Sequence, residues 1–204
     1  MKNLSRLLLA VLALGLAVGS VHARSKRMIE ADEQSPAPAA DKAMVVFLRD
    51  SFVGSAIQST IYEVDASGQR FLGIVSNKTR VAVEVEPGAH RFMVIAENAD
   101  FLESELLAGK TYYVLISPRP GAWKARFSLL PVRNDAAAKH NVHSKDFDKW
   151  MKKTVRVEIG PEAQAWYRDN EASVSEKRSE YLAKWNEQPE SHRAELTLRP
   201  EDGI

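Results

Sequence analysis

The chain of 204 residues carries 28 Lys and Arg against 27 Asp and Glu, a formal net charge of +1, with 45% hydrophobic and 27% charged residues. That is long enough for a domain with a real core and too apolar for wholesale disorder. Taking Lys2 and Arg6 of the N-terminal leader from the 28 leaves 26 basic residues against 27 acidic, so no electrostatic drive toward nucleic acid exists. The absence of cysteine excludes structural disulfides, cysteine nucleophiles, thiolate metal sites and a lipid anchor on an N-terminal cysteine.

The first residues, MKNLSRLLLAVLALGLAVGSVHA, combine a basic start, an apolar run over residues 7–18 and the small pair Val21 and Ala23. This layout predicts a signal peptide over residues 1–23, cut between Ala23 and Arg24, because the apolar run falls short of the ~20 residues of a spanning helix. Arg24, Lys26 and Arg27 follow directly and oppose translocation, so a retained leader acting as a membrane anchor is the alternative. Residues 24–41 are polar, contain proline and show no apolar period; they read as a flexible linker.

From residue 43 the texture changes to short runs rich in Val, Ile, Phe, Tyr and Thr, broken by turn residues about every ten positions. The runs AMVVFLR, SAIQSTIYEV, QRFLGIV, TRVAVEVE, AHRFMVIAE, FLESELL, KTYYVLIS and WKARFSLLPV predict a mainly β fold over residues 43–132: an antiparallel β-sandwich of about eight strands. Val81, Val83 and Val85 alternate with Arg80, Glu84 and Glu86, the pattern of a sheet with one buried and one wet face. Pro87-Gly88 suits a type II turn, which splays a tight hairpin; a longer loop, a bulge or a passage between the two sheets is therefore expected there.

Past residue 132 the pattern becomes helical, giving a helical extension over residues 133–188. SKDFDKWMKK predicts a short amphipathic helix capped by Ser144, and residues 154–159 one more strand. Gly160-Pro161 opens a long helix that Pro189 closes. Its narrow stripe of Trp166, Val174, Tyr181 and Trp185 either rests on the sandwich or meets a partner chain. Residues 189–204 read as an extended tail whose residues 196–198 are suited to strand addition on a neighbour, so their removal is expected to leave stability nearly unchanged.

VEPGAHRF followed by ELLAGKTYYVLI resembles a bacterial family of secreted and lipoprotein β-sandwich domains called DUF2846, over about residues 43–132. The likeness rests on the turn and histidine Pro87, Gly88 and His90, and on the strand Gly109, Lys110, Thr111, Tyr112 and Tyr113. The resemblance implies a β-sandwich and an envelope location, and no activity. The missing cysteine sets this chain apart from the family's lipidated members.

His90 shares parity with Phe92 and Val94, which points its ring inward just past the turn, where an N–H given to a carbonyl or hydroxyl fixes the local fold; the alternative is a general base or metal ligand. His140 and His143 have a metal-like spacing, yet two histidines do not complete a site and the segment reads as a loop. The carboxylate pairs Glu63 and Asp65, Glu84 and Glu86, and Glu103 and Glu105 read as wet faces with Lys and Arg opposite. Tyr112 and Tyr113 point to opposite faces, so only one is core; the other, with Trp123, offers a stacking platform for a sugar.

No catalytic residue, metal or cofactor is assigned. The expected protein is a non-catalytic, exported periplasmic envelope module that recognises an envelope protein partner through the helix stripe or a sheet edge. The alternative is a glycan or small-molecule binder on a sheet face or at strand ends; a hydrolase or metal-binding protein is the weaker reading.

Overall fold

A computed structural model describes residues 25–51, 53–119 and 126–204. Ala23, Arg24 and Trp123 lie outside the described residues. Among these residues eleven strands form two sheets. The first runs in the order β1 (Met28–Glu30), β10 (Val155–Ile159), β5 (Thr79–Val85), β2 (Ala43–Arg49), β8 (Thr111–Arg119) and β9 (Arg126–Val132). The second runs β11 (Thr197–Leu198), β7 (Ala99–Leu106), β6 (Gly88–Ile95), β3 (Ser59–Val64) and β4 (Gln69–Val75). The fold is mainly β and sandwich-like; the eight strands read from the sequence over residues 43–132 are present, β10 is the further strand expected over residues 154–159, and β1 and β11 are added at the edges.

Both sheets are mixed rather than antiparallel, since β2 pairs with β8, β5 with β10 and β7 with β11 in parallel. Side-chain alternation has the same period in either pairing, so it carries no information on strand direction. Direction is set here by the chain passing repeatedly between the sheets. One such passage is Pro87-Gly88, which leads from β5 in the first sheet to β6 in the second, with Gly88 at φ +116°. That positive φ is cheap only for glycine.

The outer faces expected to be wet are covered by helices. Helix α1 (Lys145–Lys153) lays Phe147 and Trp150 on Leu48, Leu115 and Val132 of the first sheet, and β2 is buried along its whole length. Ser144 caps α1, its hydroxyl accepting from the Phe147 N–H at 3.1 Å. Arg80, expected on a wet face, is buried under the other end of α1, where it donates to the carbonyls of Met151, Thr154 and Gln34. A guanidinium is well placed there because the C-terminal carbonyls of a helix carry partial negative charge.

Helix α2 (Pro161–Asn186) crosses the outer face of the second sheet from β4 to β7. Tyr167 stacks on Phe71 with centroids 5.0 Å apart, and Trp185 meets Phe101 at 5.9 Å. The apolar stripe is thus spent on the sandwich of its own chain. Gly160 before the helix is required by close approach: a Cβ there would lie 2.8 Å from the Arg27 carbonyl oxygen.

Two terminal expectations are corrected. Residues 24–41, read as a loose linker, contain β1, and Met28 is buried against Gly73 and Ile74. One buried methionine and a three-residue pairing are too short to register as a period. The tail is not a free strand either: α3 (Glu190–Glu195) leads into β11 on β7, with Leu196 and Leu198 buried. Arg133 ties it down by pairing with Asp202 at 2.7 Å and donating to the Thr197 carbonyl at 2.6 Å, and the Ile204 backbone bridges Thr111 in both directions. Proline, histidine and charged residues around three leucine-type positions hide this docking from a pattern search.

Leu198→Ala is expected to cost about 2–5 kcal/mol, the range for a fully buried leucine. That lowers the melting temperature by about 2–4 °C per kcal/mol at this size, and removal of residues 189–204 lowers it further. Thermal unfolding followed by circular dichroism measures both, and an unchanged midpoint would show that the tail is peripheral.

Candidate functional site

His90 stands at the open end of the sandwich, its ring parallel to that of Phe92 at 6.0 Å and its side chain largely buried. Its Nδ1 lies 2.6 Å from Glu63 Oε1 and its Nε2 2.7 Å from the Glu86 carbonyl oxygen. Both partners only accept, so both ring nitrogens donate and the imidazolium is the form that satisfies the two contacts. The hydrogen bond to Glu63 raises the His90 pKa above its ordinary value and lowers that of Glu63. Glu63 also pairs with Arg70 at 2.6 Å. The ring therefore fastens the turn at residues 86–88 to β3, with neither nitrogen left over for substrate. Sequence spacing could not reveal Glu63, which is 27 residues away and arrives through strand pairing.

The remaining sequence candidates are also engaged structurally. His143 Nε2 lies 2.9 Å from the Asn134 carbonyl oxygen, and the His140 ring packs on Trp150 at 5.9 Å, where burial lowers its pKa. Buried Asn141 organises the loop between them, donating to the Ala138 carbonyl at 2.7 Å. Among the described residues no group of three or more His, Cys, Asp or Glu gathers as metal ligands. Of the carboxylate pairs expected on wet faces, exposed Glu86 pairs with Lys42, whereas Glu103, opposite Arg91, is partly covered by Trp185 of α2, and Glu63 is turned to His90. Tyr112 is the core member of its pair, its hydroxyl accepting from the Leu107 N–H at 2.9 Å and donating to the Pro200 carbonyl at 3.2 Å. Tyr113 faces the other way and meets Phe147 edge-on at 4.8 Å. Gly109, at φ +71°, closes the turn before them.

A site that sequence reasoning missed lies beside α2. Between that helix and the far ends of β3, β4 and β6 is a cleft of about 200 Å³. Its floor is Ile74, Ile95 and Val174, and Trp166 forms a wall. Arg27 and Lys177 line it together with Gln58, Thr60, Asn170 and Ser173. The Arg27 guanidinium sits 5.8 Å from the Trp166 ring centroid, and the Lys177 ammonium reaches the Ala96 carbonyl at 3.4 Å. Thr60 and Asn170 are engaged with the carbonyls of Ile95 and Trp166. Among the described residues no carboxylate lines the cleft.

Each lining residue arrives for a local reason. Trp166, Asn170, Ser173 and Lys177 recur at helical spacing along one flank of α2 beside its apolar stripe. That flank was the available sequence signal. Arg27 gave none, because it comes from the stretch read as linker and is set against Trp166 by β1.

No protein-family model and no curated protein matches the chain. Residue chemistry alone therefore describes the site. The arrangement holds two cations, amide and hydroxyl groups and an aliphatic floor, which equips it to bind and orient a small molecule.

The His90–Glu63 pair sets a pH window. A raised histidine value makes a contribution that is complete below 6.5 and lost as pH rises through the folded value. A lowered glutamate value makes one that is complete above 4.5 and lost as pH falls through the folded value. The pair thus stabilises most between 4.5 and 6.5. Chemical unfolding across pH is expected to show a loss of stability above that window which His90→Gln lacks; identical alkaline slopes for the two proteins would remove His90 from the account.

Proposed function

We propose that this protein is an exported, non-catalytic β-sandwich module of the cell envelope that binds a small molecule in the cleft beside α2. The single observation that carries the reading is the cleft itself, a concave, aromatic-walled site with half-buried polar groups. The leader over residues 1–23 motivates export, and no helix among the described residues is long and apolar enough to cross a membrane. Kinship with the DUF2846 domains remains part of this proposal and accords with an envelope role.

Small-molecule binding is favoured over recognition of a partner by the helix stripe or the tail because both of those are spent within the chain. Trp185 and Val174 of the stripe are buried, and residues 197–198 are already paired with β7. The absence of an enzymatic role is supported by the use of His90 and His143 in fixed contacts with their own chain.

A thermal-shift screen of fragment-sized compounds tests the reading. Ser173 is exposed on the lip of the cleft, so Ser173→Trp is expected to obstruct the cleft and leave the melting temperature of the free protein nearly unchanged. Stabilising compounds should lose their effect on that variant. Compounds that stabilise both proteins equally, or a screen without stabilising compounds, would refute the assignment of the cleft. Intact mass of the protein recovered from the periplasm checks cleavage between Ala23 and Arg24.

A further inference from the structure

Resting on the reading of the cleft as a ligand site, we propose that its ligand is a small organic anion, with an acidic head held by Arg27 and Lys177 and an apolar body lying on Ile74, Ile95 and Val174. The charge of the lining carries the inference. Arg27 and Lys177 are half-buried, and neither forms an ion pair among the described residues. Among the described residues Arg27 is balanced by the face of Trp166, and Lys177 by one long hydrogen bond to a carbonyl. Several strong donors are therefore left facing a partly desolvated space with no acceptor of matching charge.

An acidic group is the ligand chemistry that answers this. Charge-assisted hydrogen bonds from a guanidinium and an ammonium are about twice as strong as neutral ones, and partial removal from water strengthens the attraction further. A cation would be repelled by both residues. A neutral sugar would leave the two charges uncompensated and meet an aliphatic floor instead of a second aromatic face. The volume of about 200 Å³ lies below the range of drug-sized sites, which limits the apolar body to one ring system or a short chain.

Calorimetric titration of the protein with indole-3-acetate, its neutral amide and inorganic phosphate tests the proposal. The acid is expected to bind at least about tenfold more tightly than the amide, in line with the worth of one charged hydrogen bond. Arg27→Gln and Lys177→Gln should each weaken the acid about tenfold and leave the amide unchanged. If acid and amide bind equally and both are blocked by Ser173→Trp, the cleft stands as a ligand site and the preference for an anion is overturned. Phosphate binding as tightly as the acid would overturn the role of the apolar floor. Failure of both indoles to bind would overturn the ligand site and this inference together.

Discussion

The aromatic clamp that holds α2 across the second sheet is the contact on which the rest of this molecule depends. Tyr167 lies flat on Phe71 near one end of the helix, and Trp185 leans on Phe101 near the other. Between them Val174 is buried, so the helix is fixed to the sheet along a diagonal from β4 to β7. A β-sheet twists and a helix is straight, so a rod laid on a sheet touches it along one line and leaves a wedge on either side. One wedge is the cleft with Ile74 and Ile95 on its floor; the other is a polar hollow lined by Gly68, Arg70 and Arg178. The site is thus a geometric consequence of the packing, and its chemistry is decided by which residues flank the stripe.

Two buried guanidiniums are held without a carboxylate, Arg49 beside Phe127 of the main core and Arg80 under α1. Arg49 is fully buried, its guanidinium 4.2 Å above the Phe127 ring and donating to the Ile57 and Gly54 carbonyls; burial lowers its pKa to about 10. Arg80 is treated in the same way at the end of α1. Carbonyls that end strands, loops and helices are acceptors that need partners, so a buried guanidinium with five donors satisfies several at once. In both cases the cation is consumed in folding. Arg27 and Lys177 differ, since the chain gives them few acceptors and places them at a cavity instead.

The sequence made the strands legible because each is a short run of β-branched and aromatic residues ended by a turn residue. Ser144 at the head of SKDFDKWMKK and Pro161 at the head of the long helix were equally readable, and α1 and α2 begin where those residues place them. What stayed hidden is contact between segments far apart in the chain. Alternation in TRVAVEV could not say that α1 would cover Arg80, nor that β10 would lie parallel to β5. His90 was legible as an inward-facing ring near a carbonyl, whereas Glu63 needed the pairing of β3 with β6. The cleft was the least legible element, because Arg27 and Lys177 are 150 residues apart and only the flank of α2 carried any sequence signal.

That separation has a structural consequence. Arg27 reaches the cleft only because residues 25–30 are docked: the Ser25 N–H donates to the Ser76 hydroxyl, Met28 fills the space over Gly73, and β1 pairs with β10. Gly160 serves the same arrangement, since a side chain there would collide with the Arg27 backbone. The cleft is therefore built jointly by the long helix and by the short segment at the opposite end of the chain, and either one without the other leaves half a site.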